Sequence, residues 1–494
     1  MLGLLAFAPA WLAASPFTVL VYNVENFHDA DGVALYDEYQ PSLYTPAHVL
    51  TKIRNIAAVA AKVGDGRGPE IILFQEIEID RTPGKTPPDY AAMLKHYADT
   101  TIGRMLGAGF TPEIRDLPAE ALLLKAFADQ KLDGYTVVTG GDQPGLHEDS
   151  HGRAIKNVVF TRFPVKAVRT YPMLNARNLL EVQLEVDGHL LYVFDNHWKS
   201  GASDPKTESV RIENARVLRK RLDELLKADP EADILVGGDL NSDYNQKRRY
   251  RAMKETAIND ILGSQGGELA VRGPSRDLYN LWYELPPGQR GSDAYKGEWG
   301  TLMHLIVSRG LYDLRGVQYV DNSFGVAKFP GLNADATGLP VRWSNAGPAG
   351  HGFSDHFPIF ARFTTVEDNR PDKFMPLVRG PGQDEDGAEA AARVDFKKTD
   401  LTTAVTAVTL PAGADLRDGT WSGKLFRVEG DTEDDRYLKV RAFGGVYDVF
   451  SPDKAVRDAL YAQRRDHGRL KFYGELGQYK GRWQFVVKSL EWVQ

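Results

Sequence analysis

Short apolar runs that end in clusters of polar residues are the feature that most constrains the fold of this chain. Apolar runs of this length are typical of buried strands, and a polar residue at the end of such a strand lies on the rim of a sheet. Amide, carboxylate and imidazole groups on one rim are costly to remove from water unless they bind charged ligands. The pattern therefore predicts a layered α/β protein with a site for a cation and an anion at one sheet edge. The five clusters are Tyr22–Asn26, Phe74–Glu76, Asp195–Ser200, Gly237–Asn241 and Ser354–His356.

The length of the chain and the change in its sequence pattern along the chain predict two domains. A chain of 494 residues is too long for one ordinary hydrophobic core. Strands alternate with helices over 16–364, which predicts a catalytic α/β domain, and a turn-rich acidic stretch over 365–400 predicts a linker. Short strands with one helix before the fourth strand predict a small OB-like β-barrel over 401–494.

Composition and the first residues limit the chemistry and the location. A net charge of −7 excludes a generally basic nucleic-acid coat but allows a local basic cleft. Since the chain has no cysteine, it can form no disulfide, thiolate metal site or cysteine nucleophile. Residues 1–15 are apolar and end in small residues, which predicts a signal peptide and a secreted or periplasmic protein, although no basic residue precedes the apolar run. If they form a buried N-terminal segment instead, we expect a cytoplasmic protein.

Two of the clusters carry oxygen ligands. Glu76 follows a buried strand, and its carboxylate is a hard ligand of the kind that Mg²⁺ or Mn²⁺ prefers. Asp239 and Asn241 lie two residues apart at a strand end, so their side chains point to the same side and could position an attacking water. The structural alternatives are a helix cap or salt-bridge partner for Glu76 and an Asx-rich turn for the other pair.

Two further clusters supply histidines. His197 and Lys199 share one face at strand spacing, which fits phosphate binding and stabilisation of a leaving group. His356 is the candidate general base, because the ordinary pKa of an imidazole, about 6.5, suits water activation at neutral pH. Either histidine could instead be a structural residue of the sheet.

In order and spacing, the five clusters resemble the endonuclease/exonuclease/phosphatase superfamily, which includes deoxyribonuclease I, the apurinic endonucleases and bacterial sphingomyelinases. The resemblance covers residues 17–363. It implies a four-layered α/β sandwich that cleaves phosphoesters by in-line attack of water with Mg²⁺, or with Mn²⁺ or Ca²⁺. The residues around the motifs are similar to those of secreted bacterial nucleases of this superfamily, and an OB-like module is consistent with such a nuclease.

The resemblance also implies a role for each matching residue. The implied metal ligands are Glu76, Asn23 and Asp355. The implied catalytic residues are His356 as base, His197, Asp239, Asn241 and Asp355. The implied phosphate-binding residues are Arg153, Asn196 and Lys199.

One position departs from the family pattern. The family usually has an aspartate that orients the catalytic histidine, in a segment resembling Leu-Asp-His-Ile-Leu-Val-Ser. In the matching stretch over 302–308, Met303 stands in its place, and a thioether cannot fix an imidazole tautomer. Either Asp293 or Glu298 substitutes for it, or His356 is a weaker base.

The end of the chain mixes cations with aromatic residues, as the binding of a single nucleic-acid strand requires. These residues are Lys471, Tyr473, Tyr479, Lys480, Arg482 and Trp483. The sequence thus predicts an exported, monomeric, metal-dependent phosphodiesterase that hydrolyses DNA or RNA and has no membrane anchor after signal cleavage. Two alternatives stay open: a sphingomyelinase-like or small-molecule phosphoesterase, and a weakly active nuclease scaffold that binds nucleic acid.

Overall fold

Two mixed sheets that pack face to face form the centre of the first domain. The computed structural model describes residues 16–82, 88–141, 154–267, 271, 276–366, 392–433, 437–479 and 481–494. Sheet A contains, in spatial order, β14 (Gly316–Tyr319), β16 (Ile359–Val366), β1 (Phe17–Phe27), β2 (Ile71–Glu78), β4 (Ile155–Thr161) and β3 (Thr136–Thr139), with β15 (Gly325–Val326) paired to β16. Sheet B contains β5 (Val165–Tyr171), β6 (Leu179–Val186), β7 (His189–His197), β8 (Asp233–Asp239), β13 (Met303–Val307), β10 (Leu278–Asn280) and β9 (Ser264–Gln265).

Helices cover the outer faces of both sheets, so the domain has the predicted four layers. Apolar residues alternate along the strands and supply one core between the sheets and one under each helical layer. The helices are α1 (Pro46–Ala60), α2 (Tyr90–His96), α3 (Ile102–Met105), α4 (Pro112–Arg115), α5 (Ala119–Asp129), α6 (Pro205–Ala228) and α7 (Gln246–Arg249). Among the described residues, no helix is long and apolar enough to cross a bilayer.

Local sequence explains where the main elements begin and turn. Thr45 caps α1 and Pro46 is its first residue, where the missing N–H of proline costs nothing. Asp187 and Gly188 connect β6 to β7 and have φ values of 48° and 88°, as a two-residue hairpin turn requires. Lys296 and Gly297 make the same kind of turn in a separate hairpin, β11 (Asp293–Tyr295) with β12 (Glu298–Gly300).

The second domain is a closed five-stranded barrel. Its strands are β17 (Leu425–Thr432), β18 (Lys439–Ala442), β19 (Gly445–Phe450), β20 (Arg469–Tyr479) and β21 (Arg482–Val486), and α8 (Lys454–His467) lies between β19 and β20. The strand order is β17-β18-β19-β21-β20, and β20 pairs with β17 to close the barrel. This arrangement, with a core that includes Phe426, Phe472 and Phe485, confirms the OB-like barrel.

The barrel lies directly against the first domain. Residues 392–394, which precede the barrel, extend the β11–β12 hairpin: the Trp299 N–H donates to the Ala392 oxygen at 2.8 Å. Lys488 of the barrel donates to Glu475 at 2.5 Å and lies 3.9 Å from Asp335 of the first domain. Gly347 lies so close to a barrel loop that a Cβ there would be 2.0 Å from the Asp418 oxygen. The predicted linker falls mostly outside the described residues, as do residues 1–15, so these boundaries stay predictions.

A small polar group links the two sheets inside their shared core. Gln75 Nε2 on β2 donates to Asp195 Oδ1 on β7 at 2.6 Å, and Asn157 Nδ2 on β4 donates to the Asp195 backbone oxygen at 3.1 Å. All three residues are fully buried, and burial raises the pKa of Asp195 well above its ordinary value. Burial therefore favours the protonated form of the Asp195 carboxyl group in the folded protein.

We expect the Asp195→Asn variant to remove a pH dependence of stability. A carboxyl group whose pKa is raised by folding contributes stability that is fully present below its ordinary pKa of 3.8 and is lost as the pH rises. The loss approaches about 1.4 kcal/mol per pH unit for one proton. Urea unfolding at about pH 5 and about pH 8 should show the free energy of unfolding falling with pH more steeply in the wild type than in the variant. Equal slopes would show that Asp195 is ionised in the fold.

Candidate active site

The predicted residues meet where strands of both sheets end. β1 runs parallel to β2 in sheet A, and β7 runs parallel to β8 in sheet B. Because carboxyl ends of parallel strands lie at the same edge, Asn23 and Glu76 come to face His197 and Asp239 across the sandwich. The segment before β16 adds Asp355 and His356 to the same edge.

The backbone at this edge is strained in several places. Glu25, Asn26, Glu76 and Asn241 all have left-handed backbone angles, with φ between 47° and 68°. Such angles cost roughly 1–3 kcal/mol each for residues other than glycine and cluster at functional sites. Gly238 has a φ of 124° and touches the neighbouring strand, where a Cβ would stand 2.0 Å from the Asn196 oxygen. The strand ends are therefore shaped to aim side chains rather than to continue the sheets.

Asp239 is the centre of the site. Asn23 Nδ2 donates to Asp239 Oδ2 and to Glu76 Oε1, both at 3.0 Å. His197 Nε2 and His356 Nε2 each lie 3.7 Å from the same Asp239 oxygen, and His197 Nε2 lies 3.8 Å from Glu76 Oε1. One carboxylate oxygen thus has an amide and two imidazoles around it.

A second group of charges flanks this centre. Asp355 Oδ1 lies 3.6 Å from His356 Nε2, and its Oδ2 lies 3.4 Å from Arg342 Nη2. Arg342 also donates to Glu25 Oε1 at 2.9 Å. Behind them, the fully buried Lys52 donates to the backbone oxygens of Glu25 and Phe353, both at 3.0 Å. Lys52 therefore ties the strained end of β1 to the segment that carries Asp355.

Burial and charge give the two histidines opposite protonation states. Burial lowers the pKa of His197 well below its ordinary value, and Arg177 and His356 lower it further, so this imidazole is neutral. Burial alone would lower the pKa of His356 too, but Asp355, Asp239 and further carboxylates raise it to about 9. Burial raises the pKa of Asp239. A divalent cation among these carboxylates would favour the neutral form of His356 that a base requires.

His356 lacks the aspartate that the family pattern implies as its partner. Met303 lies in the core between the sheets, paired in register with Asp239, and His356 Nδ1 has no hydrogen-bond partner among the described residues. Of the two proposed substitutes, Asp293 is the one held next to His356. The Phe357 N–H, one residue after His356, donates to the backbone oxygen of Ser292, one residue before Asp293, at 2.6 Å. Asp293 is buried and raises the pKa of His356 through its charge. No described carboxylate comes within 4.0 Å of His356 Nδ1, so Asp293 acts through its field.

The structure places the remaining predicted residues differently. Asn241 lines the site: its N–H donates to Asp239 Oδ1 at 2.9 Å and its Nδ2 to the Trp198 oxygen at 3.1 Å. Asn196 is fully buried, and its amide donates to the Phe194 and Gly237 oxygens, both at 3.2 Å. Lys199 does not line the site either. Arg153 lies outside the described residues.

The predicted barrel residues lie beside the site rather than in it. Lys471 pairs with Glu429 at 3.2 Å, and Arg482 pairs with Asp448 at 3.4 Å, so carboxylates offset these cations. Tyr473 and Trp483 pack partly against the barrel core, and Tyr479 is exposed. Lys480 lies outside the described residues. The residues of β20 that line the site are Glu475, Leu476, Gly477 and Gln478.

The predicted residues that do line the site open into one cleft of about 1110 Å³; they are Glu76, His197, Asp239, Asn241, Asp355 and His356. Sequence reasoning missed two of its cations, Arg342 and Arg177. Arg177 is half-buried next to His197, whose backbone oxygen accepts its N–H at 3.2 Å, and its guanidinium has no partner among the described residues. The sequence contained a signal for Arg177, because this residue lies two positions before the buried start of β6.

The donor set fits a hard divalent cation. Glu76, Asp239 and Asp355 bring three carboxylates to one end of the cleft, where Arg342 is the cation that pairs with one of them. Carboxylate oxygens are the ligands that Mg²⁺ prefers, and a bound Mg²⁺ would polarise a phosphoester and acidify a water. Among the described residues, the one group of three carboxylates whose oxygens all lie within 4.8 Å of one another is Asp29, Asp31 and Asp80, which does not include the predicted ligands.

Comparison with known proteins agrees with this geometry. Residues 154–365 match the profile of the Endonuclease/Exonuclease/phosphatase family. No curated protein matches the chain in sequence.

Solved structures with a similar fold share little sequence with the chain. TDP2 from D. rerio, in complex with a single-strand DNA product, is 13% identical, and the match covers 71% of this chain and 100% of TDP2 with a TM-score of 0.38. The mannosyl-6-phosphatase Bt3783 from Bacteroides thetaiotaomicron is 14% identical, and the match covers 70% of this chain and 99% of that chain with a TM-score of 0.39. Another endonuclease/exonuclease/phosphatase family protein from B. thetaiotaomicron is 14% identical, with 72% and 99% covered and a TM-score of 0.39.

Proposed function

We propose that the chain is a Mg²⁺-dependent phosphodiesterase that hydrolyses nucleic acid. The observation that carries this proposal is the convergence of Asn23, His197 and His356 on one oxygen of Asp239. A carboxylate flanked by two imidazoles suits a reaction that must take a proton from water and stabilise charge on a leaving oxygen. The family match to residues 154–365 supports phosphoester hydrolysis.

The residues divide into three roles. Glu76, held by the Asn26 N–H at 2.8 Å and by Asn23, is the metal ligand. Asp239 and Asn241 hold the attacking water, and His356 takes its proton. The neutral His197 binds the phosphate together with Arg177, whose guanidinium has no partner among the described residues, and both stabilise charge on the leaving oxygen.

Removal of the metal is the direct test of this proposal. Plasmid DNA, single-stranded DNA and RNA should all be assayed with Mg²⁺ and with excess chelator. We expect hydrolysis of at least one nucleic acid with Mg²⁺ and a loss of about 10³-fold or more with chelator, because the polarised phosphoester and the acidified water both depend on the cation. Restored activity on adding back Mg²⁺ excludes unfolding as the cause. Intact substrates in every metal-containing assay would overturn the proposal.

One observation favours a second candidate, a phosphoesterase for small molecules. The barrel encloses the cleft, whose volume of about 1110 Å³ is close to the roughly 300–1,000 Å³ of small-molecule sites. Release of phosphate from sugar phosphates, or of a headgroup from sphingomyelin, with no action on nucleic acid would support this candidate.

Export is part of the same proposal and has its own test. Residues 1–15 have the apolar character of a signal peptide. N-terminal sequencing of protein from the periplasm or the medium should show a mature chain that begins near Ser15. An uncleaved chain in the cytoplasm would contradict export.

A further inference from the structure

A hairpin that leads into the catalytic segment joins the reacting centre to the barrel domain. Residues 341–344 pair with residues 351–354, and Ser344 and His351 exchange both backbone hydrogen bonds, at 2.9 and 3.0 Å. The second arm runs directly into the segment that carries Asp355. We call residues 341–354 the active-site hairpin.

The base of the active-site hairpin is fixed to the reacting centre through Arg342. Its Nε and Nη2 lie 3.2 and 2.9 Å from Glu25 Oε1, and its Nη2 also lies 3.4 Å from Asp355 Oδ2. The Trp343 N–H donates to the other Glu25 oxygen, Oε2, at 2.8 Å. Because two carboxylates already share this guanidinium, Arg342 is placed to orient Asp355 rather than to bind a phosphate.

The tip of the active-site hairpin contacts the barrel domain. Gly419, in the segment before β17, lies against the tip, where a Cβ would stand 2.4 Å from the Ala346 oxygen. A Cβ on Gly347 would likewise stand 2.0 Å from the Asp418 oxygen. From α1, His48 Nε2 lies 3.1 Å from the Gly347 oxygen. The tip therefore contacts the barrel domain and α1 at once.

The active-site hairpin can carry a displacement from its tip to its base. Its arms are hydrogen-bonded to each other, and a Cβ on Gly352 would stand 1.9 Å from the Arg342 oxygen, so no space is left between them. Coupling between distant groups is carried by hydrogen-bonded and tightly packed elements of this kind. A shift of the barrel domain at Gly347 would therefore move Arg342 as well.

We propose that Arg342 is a positioning residue for Asp355, and that the barrel domain keeps the reacting centre in its active geometry by holding the tip of the active-site hairpin. This inference rests on the proposed function and adds a role for the barrel domain in it. Asp355 Oδ1 lies 3.6 Å from His356 Nε2, so a displaced hairpin moves a carboxylate of the donor set relative to the base. A misplacement of about 1 Å can lower a rate by about 10²-fold.

Two glycines in the segment before β17 provide a matched pair for the test. Gly419 and Gly413 both have left-handed backbone angles, with φ values of 90° and 80°. A Cβ on the buried Gly419 meets the backbone of the tip, whereas a Cβ on the exposed Gly413 has no atom within 4 Å. Gly419→Ala therefore opens the contact, and Gly413→Ala imposes the same backbone strain without a clash. Neither glycine lines the cleft.

Hydrogen exchange and steady-state kinetics measure the two ends of the active-site hairpin. Peptides that cover residues 341–354 should exchange their amide hydrogens faster in Gly419→Ala and at the wild-type rate in Gly413→Ala. With the nucleic acid that the wild type hydrolyses, Gly419→Ala should lower kcat by about tenfold or more and leave KM within about twofold, because the reacting groups are misplaced and the substrate contacts are not. Gly413→Ala should keep both constants.

Variants of Arg342 test the other end of the same link. This side chain is exposed, so its replacement does not disturb packing. Arg342→Gln should lower kcat by about tenfold or more, and Arg342→Lys should fall between it and the wild type, because an ammonium lacks the fork that reaches two carboxylates. In the Arg342→Gln background, Gly419→Ala should lower kcat by less than it does alone, since both changes break one link.

The contradicting results are distinct. A raised KM with unchanged kcat in Gly419→Ala would show that the barrel domain holds substrate, and would overturn the positioning role. Wild-type exchange and kinetics in Gly419→Ala would overturn it too, as would Arg342→Gln with wild-type kcat. Multiplicative losses in the double variant would show that the barrel domain does not act through Arg342. All of these leave the nuclease function intact, which only a wild type inactive on every nucleic acid would overturn.

Discussion

The Asp239→Asn variant should lose about 10³-fold or more in kcat while keeping its fold. Asp239 Oδ2 is the atom that Asn23, His197 and His356 share, so one amide substitution disturbs the water-holding group and both imidazoles together. Losses of this size are typical when a residue that acts as part of a unit is removed. Because burial raises the pKa of Asp239, a neutral amide there should leave Tm unchanged or higher. Steady-state kinetics and a thermal melt measure the two effects.

A residue at the opposite end of β8, the strand that ends at Asp239, provides the control. Asp233, at the start of β8, accepts the Val317 N–H at 2.8 Å and lies far from the cleft. Asp233→Asn should lower Tm and leave kcat intact, which is the reverse of the result expected at Asp239. If Asp239→Asn retains more than about a tenth of wild-type kcat, Asp239 does not hold the nucleophile.

The His356→Gln variant should lose about 10²–10⁴-fold in kcat, the range that general-base catalysis contributes. It should also lose the acid side of the pH profile, because the group that must be deprotonated is gone. Another buried histidine, His304, is the matched control: its Nε2 lies 2.8 Å from the Ser242 oxygen, and burial lowers its pKa to about 4. His304→Gln should lower stability without changing the pH profile.

The Asp293→Asn variant tests whether Asp293 raises the pKa of His356. Its carboxylate stabilises the imidazolium form of His356 and raises that pKa, so Asp293→Asn should lower it. The acid side of the kcat/KM profile at saturating Mg²⁺ should then move to lower pH. A profile that stays in place would show that another acid supports His356.

The parts of the site that sequence could predict are those fixed by strand ends. Asn23, Glu76, His197 and Asp239 each end an apolar run, and parallel pairing within both sheets brings such ends to one edge. The hairpin at Asp187 and Gly188 follows from turn chemistry in the same way. Sequence could predict these features because each depends on a short stretch of the chain.

The errors and omissions come from side-chain direction and from long-range contacts. Neighbouring residues on a strand face opposite sides, so Asn196 and His197 could not both point to the phosphate. Arg342 reaches Glu25 from a loop more than 300 residues away in the sequence, and no local pattern predicts that contact. The ion pairs that offset Lys471 and Arg482 also come from other strands of the barrel.

The bridge between Gln75 and Asp195 has a consequence for the timing of activity. Gln75 directly precedes Glu76 on one sheet, and Asp195 lies two residues before His197 on the other, so the bridge joins two halves of a site that neither sheet contains alone. A chain in which the sheets have formed but not stacked has a metal ligand without a phosphate clamp. The proposed site can therefore form only when the two sheets stack, and a chain whose sheets are apart should not hydrolyse a phosphodiester.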